Sequence, residues 1–128
     1  MSESEKIKGN KVPMLDGSNY NYWKIRMTVY LQSLDERIWQ TVLDGYSRPT
    51  VDNEGVVGPK PVATWTAREL EAARWNSQGL NAILSHVTQE EFKKISNCTT
   101  SKQAWDVLTV IFEGTSTVKK LQDSKIND

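Results

Sequence analysis

The chain has 128 residues, of which 38% are hydrophobic, and its 16 basic and 16 acidic side chains leave no net charge at neutral pH. This length suits one domain with a hydrophobic core and is too short for two. The balanced charge argues against a dedicated nucleic-acid binder, which usually carries a basic excess. We see neither a signal peptide nor the run of about 20 apolar residues that a bilayer requires, so we expect no membrane association. The single cysteine, Cys98, fits a reducing, cytoplasmic location.

The first 13 residues are polar and carry three lysines, Lys6, Lys8 and Lys11. They hold too little apolar surface to order themselves, so we expect a flexible arm that ends at Pro13. Val12 and, just beyond the arm, Leu15 are the candidates to dock on the domain. We expect that domain to span residues 14–115 and residues 116–128 to begin a linker or a following helix.

Two helices are predicted after the arm. Ser18 is expected to cap the first, which runs from about residue 19 to residue 34. Apolar side chains at helical spacing form one face of it, namely Trp23, Met27, Tyr30, Leu31 and Leu34. Asp35 is expected to cap the second helix, residues 36–43. The apolar face of that helix consists of Ile38, Trp39, Val42 and Leu43.

Residues 45–64 separate these two helices from the next one. They contain three of the four prolines, and neither helical nor strand periodicity persists across them. We therefore expect a long exposed loop. A β-hairpin turning at Asn53-Glu54-Gly55 is the alternative, because Val51 and Val56-Val57 flank that turn signal.

Three Thr-x-x-Glu/Gln sequences predict capping boxes and therefore three further helix starts. The pairs are Thr66 with Glu69, Thr88 with Glu91, and Thr100 with Gln103, and they open helices of about residues 67–86, 89–96 and 101–113. Gly114 is expected to end the last of these. The predicted fold class is thus all-α, a compact bundle of five to six helices with one long loop between the second and third.

The third helix carries two apolar stripes, which predicts neighbours on both sides. One consists of Leu70, Ala73, Ser77, Leu80, Leu84 and Val87, and the other of Ala72, Trp75, Gly79 and Ile83. Glycine costs about 1 kcal/mol relative to alanine inside a helix, so we expect another helix to approach Gly79 closely. Inward positions on the last two helices are Phe92 and Ile95, then Ala104, Trp105, Leu108, Ile111 and Phe112.

Five tryptophans are an unusual number for this length: Trp23, Trp39, Trp65, Trp75 and Trp105. Each can bury on the order of 200 Å². We interpret those in helical segments as anchors of a core or an interface. A nucleic-acid stacking platform, which would combine exposed rings with basic residues, is the alternative.

The sequence contains no arrangement typical of a catalytic or metal site. The only histidine, His86, and Cys98 lie in different segments, which indicates neither a four-ligand zinc site nor a nucleophile beside a base. We expect no enzyme activity, metal or cofactor. The lysine pairs 93–94 and 119–120 are expected to be solvated. Weak contact of Lys119, Lys120 and the arm lysines with RNA phosphates is the alternative.

Two signatures resemble the Gag capsid region of copia-type LTR retrotransposons. The first is Leu15-Asp16-Gly17-Ser18-Asn19-Tyr20 with Trp23, and the second is Thr100-Ser101-Lys102-Gln103-Ala104-Trp105 with Leu108 and Phe112-Glu113-Gly114-Thr115. The resemblance covers roughly residues 15–121. It identifies as signature or core residues Gly17, Asn19, Tyr20, Trp23, Met27, Trp39, Trp75, Trp105, Leu108 and Gly114.

The resemblance implies a domain similar to the retroviral capsid N-terminal domain, which acts by self-association into a virus-like shell. In that family Gag packages the element's RNA in the cytoplasm. The implied partners are a second copy or another Gag-like protein, with RNA as a weak partner. A Gag-derived module of adaptor or restriction type, and a weak RNA-binding module, are the alternatives. The contact regions we expect are the 45–64 loop and the outward faces of the first two helices.

Overall fold

The computed structural model describes residues 11–114, which contain five α-helices and one two-stranded sheet. The elements are α1 (Tyr20–Leu34), α2 (Glu36–Asp44), β1 (Thr50–Asn53), β2 (Val56–Pro59), a 3-10 turn (Val62–Thr64), α3 (Ala67–Leu84), α4 (Gln89–Ile95) and α5 (Ser101–Glu113). The predicted all-α bundle is confirmed, and every helix begins within one residue of its expected start. The expected linker or further helix at 116–128 lies outside the described residues.

The core lies where α1, α2, α3 and α5 pack together, with α4 against α5. Its largest fully buried apolar side chains are Leu15, Trp23, Met27, Leu31, Val42, Ile83, Ile95 and Leu108. Burying one large apolar side chain stabilises the folded state by roughly 1.5–3 kcal/mol. The core is therefore the main source of stability of this small domain.

The segment before α1 docks on the domain through Leu15, which is fully buried. The Leu15 N–H donates to the His86 carbonyl at 2.8 Å, and the Thr88 N–H donates to the Leu15 carbonyl at 2.9 Å. These two bonds form a short parallel β-bridge with Val87. Val12 packs against the core as well. The start of the domain is thereby joined to the chain just after α3.

A β-hairpin occupies the middle of the region predicted as a long loop, so the alternative is the structure adopted. β1 and β2 are antiparallel, with Thr50 opposite Pro59 and Asn53 opposite Val56. Glu54 and Gly55 form the two-residue turn and have φ angles of 53° and 87°. Two positive φ angles are typical of the type I′ turn, whose twist suits a hairpin. The Asn-Glu-Gly turn signal indicated this hairpin correctly, but the flanking valines are too few for the clear alternation that identifies strands.

Two of the predicted helix caps hold and three differ. The Asp35 side chain accepts the Arg37 N–H at 2.8 Å, and Thr66 forms the complete capping box with Glu69. Ser18 is not the cap of α1, because Asn19 holds that position; the Ser18 N–H and hydroxyl both donate to Asp16. Thr88 makes no side-chain cap bond. Thr100 caps α5, but the Gln103 side chain accepts from the Thr99 N–H and leaves the box half complete.

Several side chains predicted to face the core are exposed, by 40–49% of their surface: Leu34, Leu43, Leu70, Phe92 and Ile111. The first three lie in the terminal turns of their helices, where neighbouring helices no longer cover them. On α4 the buried positions are Glu91 and Ile95, so Ile95 is buried as predicted and Glu91 takes the second inward position in place of Phe92. Periodicity identifies an apolar face but does not show how far a neighbour extends along it.

The close approach predicted at Gly79 is present. A Cβ added to this glycine would lie 3.2 Å from the Ser101 Cβ and 3.4 Å from the Ile38 Cγ2. The absence of a side chain therefore lets α3 pack directly against α2 and the start of α5. The buried stripe of α3 is Asn76, Gly79, Ala82 and Ile83.

Candidate interaction surface

The residues of the first signature shape the turn that leads into α1. The Asn19 side chain donates to the Met14 carbonyl at 3.0 Å and accepts the Asp16 N–H at 3.2 Å. Gly17 has a φ of +94°, and a Cβ there would lie 3.4 Å from a carboxylate oxygen of Glu91. Both the backbone angle and the close neighbour favour glycine. These residues position α1 on the domain and present no open site.

The aromatic signature residues pack against one another. Trp23 and Trp105 stack with ring centroids 5.9 Å apart, and Trp39 meets Trp105 edge-on at 5.4 Å. Tyr20 stacks on Phe112 with centroids 4.9 Å apart. Geometries of this kind are typical of aromatic pairs in protein cores. The rings of these residues are therefore occupied by one another rather than free to stack on nucleic-acid bases.

A polar contact closes the end of this aromatic cluster. The Tyr20 hydroxyl and the Lys24 ammonium both donate to the Glu113 carboxylate. Burial raises the pKa of Tyr20 above its ordinary value, and the hydrogen bond from Lys24 lowers the pKa of Glu113. The three side chains fasten α1 to the last turn of α5.

The other residues that the sequence singled out lie in the core, at a helix end or on the surface, or fall outside the described residues. Met27 and Leu108 are buried, and Gly114, with a φ of +82°, follows the last turn of α5. Trp75 is only half-buried, and the Arg37 guanidinium lies 4.8 Å from its ring centroid. Lys11 is exposed. The other lysines of the predicted RNA contact, Lys6, Lys8, Lys119 and Lys120, lie outside the described residues, so that contact stays a prediction.

Among residues 11–114, the groove and the two reactive side chains described here form no recognisable catalytic site. A groove of about 470 Å³ between α1, α2 and α3 is lined mainly by polar side chains such as Arg74 and Gln78. His86 borders it, with Nδ1 2.7 Å from the Ala82 carbonyl oxygen. Cys98 is half-buried, and burial raises the pKa of its thiol. Between residues 11 and 114, no three His, Cys, Asp or Glu side chains are grouped so as to hold a metal ion.

The outer side of α1 carries an apolar stripe of three side chains. Tyr22, Ile25 and Val29 expose 55%, 67% and 57% of their surfaces. Their spacing of three and four residues places them along one line of the helix. That line is opposite the buried face, which includes Trp23 and Met27. We call these three residues the α1 stripe.

The hairpin presents a second exposed apolar surface. Val56 and Val57 are 71% and 65% exposed, and none of residues 50–59 is buried. A Cβ added at Gly55 or at Gly58 would meet no other atom within 4 Å. The hairpin thus stands out from the helices, with one valine on each of its faces.

The two surfaces differ in charge. Residues 20–34 contain two basic side chains and no acidic one. Lys24 is paired with Glu113, so Arg26 is the basic residue beside the α1 stripe. Residues 50–59 contain Asp52 and Glu54 and no basic side chain. The Arg26 Nε is buried and lacks a hydrogen-bond partner among residues 11–114. The Asp52 carboxylate accepts the Gly55 N–H at 2.9 Å. One apolar surface is therefore bordered by positive charge and the other by negative charge.

The sequence indicated these surfaces only as regions, the outward face of the first helix and the 45–64 loop. A signal for the α1 stripe was present in the spacing of Tyr22, Ile25 and Val29. It was hidden because the same helix has a second, stronger apolar face. In the described part of the chain, no helix has both the length and the apolar character that crossing a membrane requires.

Comparison with known families yields a match. The model of the family described as the gag-polypeptide of LTR copia-type matches residues 27–125. This range includes the second signature, from Thr100 to Thr115, and begins after the first, which ends at Trp23. No curated protein and no solved structure matches the chain.

Proposed function

Because the chain belongs to the gag-polypeptide family of LTR copia-type, we propose that it is a capsid domain whose copies associate into a virus-like shell. The observation that supports this most directly is the α1 stripe. Three adjacent apolar side chains are exposed on a helix whose other face is already packed in the core. Contiguous apolar patches of this kind are typical of protein–protein contacts.

A shell needs contacts that are repeated rather than individually strong. A stable, isolated complex usually buries about 800 Å² per partner, and three side chains supply much less than that. Many copies of a weak contact hold an assembly together because each bound subunit raises the effective concentration of the next. The small area of the α1 stripe therefore agrees with a lattice better than with a tight dimer.

Assembly of the purified chain tests this function. We expect light scattering to detect large species above a threshold protein concentration, and negative-stain microscopy to show closed or sheet-like particles. The measurements should cover low and high salt, because ionic strength weakens charged contacts and leaves apolar ones in place. A chain that stays monomeric at every concentration and salt level would contradict the proposal.

A pair of variants links assembly to the α1 stripe. Ile25→Glu places a charge on the stripe at a position that is 67% exposed, so the fold should be kept while the large species are lost. The control is Val110→Glu on α5, at a valine that is 48% exposed, and it should assemble like the original chain. Equal loss in both variants would show that any added negative charge prevents association.

A further inference from the structure

We infer that the α1 stripe of one copy receives the hairpin of a second copy, so that neighbouring subunits join head to tail. This inference rests on the proposed function and names the two surfaces that build the contact. The charge and the shape of both surfaces favour a second copy of this chain as the partner that binds the α1 stripe.

The charges favour this pairing over contact between two α1 stripes. Two α1 helices would bring Arg26 of both copies together, with no acidic residue from either helix to neutralise them. The hairpin instead offers Asp52 and Glu54 beside its exposed valines. Opposite charges around an apolar contact direct association and select the partner.

The hairpin is suited to side-chain contact rather than to strand addition. Pro59 lies within β2, and Pro49 and Pro61 flank the two strands. Proline removes the N–H that an added strand would need, and it is a common protection of sheet edges. The exposed faces of Val56 and Val57 therefore remain as the surface available to a partner.

A contact between two different surfaces has a consequence for assembly. After two copies have bound, one of them keeps a free hairpin and the other keeps a free stripe. Head-to-tail contacts of this type close into rings or extend without limit, whereas a contact between identical surfaces stops at a dimer. The pairing of stripe with hairpin therefore supplies the repeated contact that a shell requires.

Two complementary variants test the pairing. Ile25→Glu disables the stripe and leaves the hairpin, while the double variant Val56→Glu/Val57→Glu disables the hairpin and leaves the stripe. Each should fail to form large species by itself. In a mixture, we expect the intact hairpin of the first variant to bind the intact stripe of the second. Association should stop at this pair, because neither variant has a second intact surface.

Nuclear magnetic resonance can detect this single weak contact. We expect unlabelled Ile25→Glu chain to shift the amide signals of residues 22–29 in ¹⁵N-labelled Val56→Glu/Val57→Glu chain, in a saturable way. With the labels exchanged, the signals of residues 50–59 should shift. The control titrant, Ile25→Glu/Val56→Glu/Val57→Glu, keeps the fold but lacks both surfaces and should cause no shifts. Glu54→Lys in the titrant should weaken the binding about two- to fivefold, as expected for one exposed ion pair.

The outcomes separate the pairing from the proposed function. If Val56→Glu/Val57→Glu assembles like the original chain, the hairpin is not needed and the inference is wrong. It is equally wrong if the mixture of the two variants shows no shifts. It is also wrong if the α1 signals of Val56→Glu/Val57→Glu shift as the concentration of that variant alone is raised, because this would indicate contact between two α1 stripes. In these cases assembly of the original chain still supports the capsid function. Failure of the original chain to assemble contradicts the function itself.

Discussion

Trp23 on α1 and Trp105 on α5 stack with their ring centroids 5.9 Å apart, and this contact joins the two ends of the described chain. Trp23 is fully buried, and its indole N–H donates to the His86 carbonyl at 2.8 Å. The same carbonyl accepts the Leu15 N–H. One backbone oxygen after α3 therefore holds both the segment before α1 and the side chain at the centre of the core.

Replacing Trp23 should destabilise the domain severely. Trp23→Ala removes a fully buried indole and leaves a cavity, so we expect the free energy of unfolding to fall by about 3–5 kcal/mol in a urea titration. Tyr22→Ala is the control, because Tyr22 is 55% exposed on the same helix. That variant should change stability by less than about 1 kcal/mol. Similar losses in the two variants would contradict the core position of Trp23.

At position 79, the size of the side chain should affect the stability of the domain more than its helix propensity does. Gly79→Leu forces a large side chain between α3, Ile38 and Ser101, and we expect a loss of about 1–3 kcal/mol or more. Gly79→Ala gains about 1 kcal/mol of helix propensity but meets neighbours at 3.2 and 3.4 Å, so its net effect should be small. Gln78→Leu, at an exposed position, is the control in thermal melts. A stable Gly79→Leu variant would show that α3 does not approach α5 this closely.

Asn76 should be a specific polar anchor between α3 and the start of α5. Its side chain accepts the Ser101 N–H at 2.9 Å and donates to the Thr99 carbonyl at 3.2 Å, in a position that is 95% buried. Asn76→Ala leaves both backbone groups without their partner, and we expect a cost of about 1–3 kcal/mol. Asn81→Ala, on the exposed side of α3, should be nearly neutral. Hydrogen exchange should show faster exchange of the Ser101 amide in the first variant alone.

The cap of α2 should make stability depend on pH in the acid range. Hydrogen bonds from Arg37 lower the pKa of Asp35 from 3.8 to about 2 in the folded state. The unfolded chain therefore binds a proton more readily, so this contribution is complete above about pH 5 and is lost as the pH falls toward 2. Asp35→Asn should lower the melting temperature at pH 7, and the difference from the original chain should shrink at pH 2–3. A difference that is the same at both pH values would contradict the pKa shift.

The helices could be located from the sequence because their signals are local. Asp35, Thr66 and Thr100 act on backbone groups two or three residues away, and apolar spacing reports on a single helix. Such signals do not require knowledge of the rest of the fold. The two signatures around Trp23 and Trp105 likewise indicated the copia-type Gag family before the two rings were seen to stack.

The sequence was less informative about which side chains are buried in the folded domain. Leu34 and Phe92 have the character of core residues and are exposed, whereas Glu91 is charged and 96% buried, in an ion pair with Lys94. Burial depends on neighbours that are distant along the chain, and a local pattern does not contain them. The hairpin was uncertain for a related reason, because its few cross-strand pairs leave little periodicity.

The sequence by itself determined where the five described helices begin and which family the chain belongs to, since caps, helical spacing and signature residues are all short-range features. Only the tertiary structure decided that Tyr22, Ile25 and Val29 remain exposed while Trp23 and Met27 are buried. Both sets have helical spacing, and the choice between them depends on which side of α1 the other helices pack. The surface available to a partner is what remains after that packing, so it could be located only once the whole domain was assembled.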